Sequence, residues 1–189
     1  MERERLIVGV SGASGAPLAA EVLRLLKPTR YESHLILTHG AEMTIPAETG
    51  MSIESFKALA DVVYDNKNIG AGPASGSFRT AGMTVVPCSM KTAAGIHSGY
   101  SDNLLLRAAD VTLKERRKLV LVAREAPLST IHLRNLYELS LIGAVILPPM
   151  LNYYCGAGTI EDLTRQTAER VLDQFDCAGN ALKRWEGMP

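Results

Sequence analysis

Hydroxyls, glycines and one arginine recur where strand-like runs end, and that repetition is the main chemical pattern in the chain. Leu6 to Val10 has buried-strand character and runs into Ser11-Gly12-Ala13-Ser14-Gly15-Ala16, with a helix pattern starting after Pro17. In an open parallel sheet, such a junction lies at the carboxyl end of a strand, where a helix N-terminus aims free N–H groups at a bound anion. Gly12 and Gly15 allow close backbone approach, while Ser11 and Ser14 add hydroxyls. The spacing is not the G-x-G-x-x-G fingerprint of dinucleotide sites, and no acidic residue closes a second strand to hold a ribose. A tight strand-to-helix turn without a ligand fits the same residues.

Three further strand ends add to the list: Thr38, then Cys88-Ser89-Met90-Lys91-Thr92, then Arg124-Glu125-Ala126-Pro127. Together they describe a neutral-to-positive pocket of the kind a phosphorylated cofactor needs. Each has a plainer role as well. Ser89 and Thr92 are good helix caps, and Arg124 and Glu125 could pair at the surface. Arg107 and Lys114, seven residues apart on one helical stretch, return to nearly the same face and could meet one anion. Asp110 lies between them, so a solvent-exposed ladder explains the same spacing. Arg170 and Tyr154 carry suitable groups, but nothing local separates them from ordinary surface residues.

The elements that must position these groups alternate in type. Helical patterns cover Leu18 to Leu26, Gly40 to Glu48, Ile53 to Ala60 behind a Ser52 cap, Asn103 to Arg117, Thr130 to Leu141 and Ile160 to Phe175. Strand-like runs cover His34 to Thr38, Val62 to Tyr64, Met83 to Val86, Leu119 to Val122 and Ala144 to Leu147. Near-continuous Val/Ile/Leu strands alternating with helices predict a parallel sheet covered on both faces. Between Asp65 and Gly82 there is no periodicity, and a loop that long is usually functional or mobile.

Composition sets the bounds. A chain of 189 residues, 47% hydrophobic and 21% charged, is expected to form one domain over residues 1–189. Twenty basic residues balance twenty acidic ones, so charge offers no case for nucleic acid or an anionic membrane. The charged start and the short apolar run after it suit neither a signal peptide nor a membrane span, which implies a cytoplasmic protein. Cys88, Cys155 and Cys177 are too widely spaced to favour disulfides or zinc, so no metal is expected.

Seven segments, in order along nearly the whole chain, resemble the flavin prenyltransferases, once described as small subunits of phenolic-acid decarboxylases or as decarboxylases of ubiquinone biosynthesis. They are Gly12 to Ala16 (GASGA), Ala47 to Gly50 (AETG), Ser75 to Phe78 (SGSF), Pro87 to Thr92 (PCSMKT), Arg107 to Arg116, Arg124 to Leu133, and the closing Arg184-Trp185. The resemblance implies an α/β, Rossmann-like or flavodoxin-like three-layer sandwich with a mostly parallel sheet, assembled as a homododecamer. It implies binding of reduced FMN, transfer of the dimethylallyl group of dimethylallyl phosphate to it, and hand-over of prenylated FMN to a separate decarboxylase.

Carried over by position, the resemblance assigns FMN to Gly12, Ala13, Ser14, Thr38, Ser89, Met90, Lys91, Thr92 and Arg124. It assigns the prenyl phosphate to Tyr154 and Arg170, with Lys114, Arg107, Arg124 and Ser14 nearby, and acid/base work to Glu48 and Glu125. Tyr153 adjoins Tyr154, so either can take the tyrosine's place. The chemistry agrees: clustered cations neutralise a departing phosphate without a metal, carboxylates move protons, and a dry cavity protects an allyl cation. Two alternatives share these features. An FMN-dependent oxidative decarboxylase would use a P-x-M-N motif, which Pro149-Met150-Leu151-Asn152 echoes loosely; a noncatalytic flavin carrier would serve a large partner.

Overall fold

The computed structural model describes residues 3–179 and 182–188. Six strands, β1 (Glu4–Val10), β2 (Tyr31–Leu37), β3 (Val62–Tyr64), β4 (Gly82–Cys88), β5 (Lys118–Ala123) and β6 (Ala144–Ile146), form one sheet in the order β3-β2-β1-β4-β5-β6. Every pairing is parallel. This is the doubly wound order, in which β1 has β2 on one side and β4 on the other, leaving a crevice where the winding reverses.

Helices α1 (Ala16–Leu26), α2 (His39–Thr49), α3 (Ile53–Lys57), α4 (Met90–His97), α5 (Leu104–Lys114), α6 (Thr130–Leu141) and α7 (Ile160–Asp173) cover the two faces. Alternate strand residues sort the core. Leu6, Val8 and Val10 of β1 pack with α1 and α7 on one side, while Ile7, Met83, Val85 and Leu121 meet α4, α5 and α6 on the other. Gly9 faces α5 so closely that an added Cβ would stand 3.0 Å from Leu105 Cδ1. The expected three-layer α/β sandwich is therefore what the chain forms.

Most differences from expectation lie at element ends. β1 and β2 begin at Glu4 and Tyr31, where residues with polar side chains still gain ladder hydrogen bonds from the paired register. The run after Ser89 continues as a full helix to His97, because the Ser89 cap and the buried Ala93 and Ile96 support it. α5 stops at Lys114 because Arg116 takes a left-handed conformation at φ 54°.

The long stretch before β4 is pinned rather than free. Arg117 donates to the carbonyls of Phe78 (2.8 Å) and Gly76 (2.6 Å), and Arg107 Nε donates to that of Ala74 (3.2 Å). The Phe78 ring lies edge-on to buried His34 and under the Arg5 guanidinium, 4.6 Å from its carbon.

Candidate active site

The crevice is built by a hydroxyl the sequence offered as a ligand. Ser11, buried to 1% exposure, donates from Oγ to the Pro87 carbonyl (2.9 Å) and accepts from the Ser89 N–H (2.7 Å). It thereby ties the carboxyl end of β1 to that of β4, and the Arg124 N–H continues the tie by donating to the Cys88 carbonyl at 3.0 Å. Beside it, the β1–α1 turn touches the start of α2. A Cβ on Gly12 would stand 2.8 Å from Gly40 Cα, so the two turns meet only because both residues lack side chains.

Two helix starts aim at this point. Thr38 Oγ1 accepts from Ala41 N–H at 3.2 Å to cap α2, and Ser89 Oγ accepts from Thr92 N–H at 3.3 Å to cap α4. Capping and ligand contact are compatible, because each cap leaves the remaining first-turn N–H groups unpaired. A cleft of about 860 Å³ opens here, lined by Gly12, Thr38, Ser89, Lys91 and Thr92.

A second cavity of about 500 Å³ lies on the other side of the β1–α1 turn. Ser14, Glu48 and Arg124 stand on its polar side, while Pro17, Leu18, Met150, Leu151 and Leu163 make its apolar walls. Glu48 lies in the last turn of α2 and accepts both Gly15 and Ala16 N–H groups on Oε2, at 2.8 Å each. Burial raises the Glu48 pKa, but the Gly15, Ser14 and Ala16 hydrogen bonds and the Arg124 charge outweigh it and hold the carboxyl below the usual glutamate range. Glu48 is therefore an ionised cap on α1. In contrast, burial pushes the Cys88 thiol up to about 12, which leaves it inert as a nucleophile.

Other expected site residues stand apart. Met90 packs in the core and does not line the cleft. Ala13 lies between the two cavities without lining either, its N–H donating to the Ser11 carbonyl at 2.9 Å. Arg107 pairs with Asp110 at 2.6 Å, as the plainer ladder required, but Lys114 bonds Glu115 at 2.5 Å instead. The start of α5 borders the cleft, but neither Arg107 in its first turn nor Lys114 at its far end lines either cavity of its own chain. Glu125 is exposed, its Oε1 accepting from Ala126 N–H at 3.0 Å rather than pairing with Arg124. Tyr154 meets the Trp185 ring, and Arg170 is ion-paired to Asp173.

The cleft also contains Asn66, which the sequence reading passed over. Its carbonyl and Oδ1 accept from Leu104 and Leu105 N–H groups at 2.8 and 2.9 Å, joining Asn103 in capping α5 against the cleft. Asn66 lies just past β3, a run that the sequence does show, so the strand-end rule that selected the other residues extends to it. Among the described residues, no group of His, Cys, Asp and Glu side chains is arranged to hold a metal, and no helix is long and apolar enough to cross a membrane.

A doubly wound sheet with capped helix starts around its crevice, beside an apolar cavity, defines a protein of the flavoprotein class, and residues 1–172 match the Flavoprotein family model. A probable UbiX-like flavin prenyltransferase of Streptomyces sp. (strain D7) is 50% identical over 97% of this chain and 92% of its own. The flavin prenyltransferase UbiX of Salmonella typhimurium is 48% identical over 97% and 99%. The solved structure of AnUbiX (PadA1) with FMN and dimethylallyl pyrophosphate superposes with a TM-score of 0.96, at 51% identity over 99% of this chain and 100% of that one. A dodecameric FMN-dependent UbiX-like decarboxylase from Escherichia coli O157:H7 superposes with a TM-score of 0.95, at 49% identity over 97% and 100%. The chain belongs to the UbiX-like flavin prenyltransferases.

Proposed function

We propose that this protein binds one reduced FMN per chain without covalent attachment, transfers the dimethylallyl group of dimethylallyl phosphate to it, and yields prenylated FMN for a separate decarboxylase. The observation that carries the reading is the meeting, at one turn, of a cleft furnished with hydroxyl, amide and lysine side chains and a cavity with apolar walls, with Gly12 on the first and Ser14 on the second. FMN fits the cleft because Gly12 and Gly40 leave room for close backbone approach, and Thr38, Ser89, Lys91 and Thr92 supply hydroxyls, amides and a cation. The reduced flavin supplies the nucleophilic ring.

The chain supplies the rest. The apolar walls exclude water from the allyl group. Ser14 and Arg124 donate to the departing phosphate, with Tyr154 and Arg170 completing the clamp from the α7 side. Glu48 stays ionised at neutral pH, so its Oε2 accepts a proton rather than giving one; Glu125, free of Arg124, is the second acid/base group. Lys114 and Arg107 line neither cavity of their own chain, so they are assigned to the phosphate of a neighbouring copy in a homododecamer; the Escherichia coli relative is dodecameric. Three free cysteines suit a cytoplasmic setting.

Mass spectrometry of flavin extracted after anaerobic incubation with reduced FMN and dimethylallyl phosphate tests this directly. The flavin should gain the mass of the prenyl group. Unchanged flavin, together with stoichiometric co-purification of a large partner, would establish a carrier instead.

A further inference from the structure

The closing Arg184-Trp185 pair has no part in the reaction described above, yet it touches the neighbourhood of both residues assigned to the phosphate from the α7 side. Lys183 Nζ donates to the Cys155 carbonyl at 2.6 Å and its backbone N–H donates to Gln166 Oε1 at 3.2 Å, which lays this segment across the Tyr153–Cys155 turn and α7. The Trp185 ring meets Tyr154 edge-on, with centroids 5.5 Å apart and planes at 69°. Arg184 places Nη1 3.4 Å from Asp173 Oδ2 and Nη2 on Oδ1, while Arg170 bonds the same Oδ2 from one turn earlier on α7.

The two arginines are unequal to their shared partner. The Asp173 side chain is only 13% exposed, whereas those of Arg170 and Arg184 are 52% and 62% exposed. Asp173 is fixed and both guanidinium groups can move. A largely buried carboxylate that lost its only partner would be left uncompensated, so with Arg170 alone the pair would resist opening. With Arg184 present, Asp173 keeps a partner when Arg170 turns away.

We infer that Lys183–Trp185 is a positioning strap for the allylic phosphate: Trp185 orients Tyr154, and Arg184 holds Asp173 so that Arg170 is released to the substrate. The inference rests on the proposed function in taking Tyr154 and Arg170 as phosphate ligands. An edge-to-face contact also restrains the Tyr154 ring before substrate arrives, which lowers the ordering cost of binding.

The test uses the flavin-loaded protein and initial rates against dimethylallyl phosphate. Arg184→Ala should raise KM for dimethylallyl phosphate by about tenfold, the loss expected for one charge-assisted contact at a half-exposed site, with FMN affinity and kcat unchanged. Adding Asp173→Asn should restore KM, because Arg170 then has no carboxylate to hold it; Arg184→Lys should rescue in part. A merely structural tail predicts a double variant worse than either single one. An unchanged KM in Arg184→Ala, or no recovery in the double variant, overturns the strap.

Trp185 is the only tryptophan, so its emission gives a readout independent of turnover. Inorganic phosphate should change that emission in the unaltered protein and not in Arg170→Ala, and a protein whose emission ignores phosphate refutes the strap without any folding question. Loss of prenylation alongside a normal phosphate response would reject the proposed reaction while leaving the strap intact.

Discussion

Glu48 Oε2 accepts the Gly15 and Ala16 N–H groups at 2.8 Å each, so a carboxylate at the end of α2 caps the start of α1. A glutamate that local sequence presents as an exposed helix-end residue thus bridges two elements beside the apolar cavity. Its charge complements the α1 dipole, and the same bonds keep it ionised, the form that can accept a proton, while lowering its basicity.

Glu48→Gln keeps an amide oxygen for both N–H groups and removes the charge. Flavin binding should persist, with prenylation slowed on the order of a hundredfold. Because the folded carboxyl titrates below the usual glutamate range, the Glu48-dependent rate should be flat from neutral pH down to that range and fall only beneath it. Single-turnover prenylation with FMN binding measured in parallel is the check; normal binding with a near-normal rate removes Glu48 from the mechanism.

Gly12→Ala forces a Cβ to 2.8 Å from Gly40 Cα, a backbone atom that cannot rotate aside. The β1–α1 and β2–α2 turns must separate. The expected cost is about 1–3 kcal/mol of stability, with FMN affinity lost because the cleft wall moves. Thermal melts and flavin fluorescence quenching measure both, and an alanine variant that binds FMN normally contradicts the close-approach argument.

Asp61 accepts Ser33 N–H and Oγ–H at 2.8 Å each and faces Arg3 at 3.2 Å. Burial raises its pKa, but these Ser33 bonds and then Arg3 outweigh it and bring the carboxyl down to about 2. A depressed carboxylate stabilises the fold above its unfolded pKa, so the contribution is complete above about pH 4 and is lost between about pH 4 and 2. Asp61→Asn should cost about 1 kcal/mol at pH 7 after allowance for solvent screening, with the difference from the parent shrinking across that window. Denaturant melts at pH 7, 4 and 2.5 would expose a pH-independent difference, which would count against the linkage.

Prenyl transfer should proceed in EDTA, since Arg124, Tyr154, Arg170 and the neighbour-supplied Lys114 and Arg107 are assigned the phosphate's charge. Activity abolished by EDTA and recovered with Mg²⁺ would transfer that role to a metal.

Periodicity and turn chemistry act over a few residues, and everything they control was legible in the chain. The alternation of strand and helix, the parallel sheet, the Ser52 and Ser89 caps, and the clustering of Gly12, Thr38, Ser89 and Arg124 at strand ends all follow from local residue order. Asn66 escaped although Val62 to Tyr64 reads as a strand, because its role lies in holding the Leu104 and Leu105 N–H groups, contacts between segments distant in sequence. What the tertiary structure alone decided depends on residues distant in sequence. Ser11 proved to be a tie to Pro87 and Ser89, Glu48 a cap on Gly15 and Ala16, and Asp173 the partner that Arg170 and Arg184 share. Arg107 and Lys114 satisfy helical spacing perfectly well, but the partners they take, Asp110 and Ala74 for Arg107 and Glu115 for Lys114, and the cavities they do not line are set by how the strands pair and the helices pack, which is a property of the folded core rather than of any local stretch.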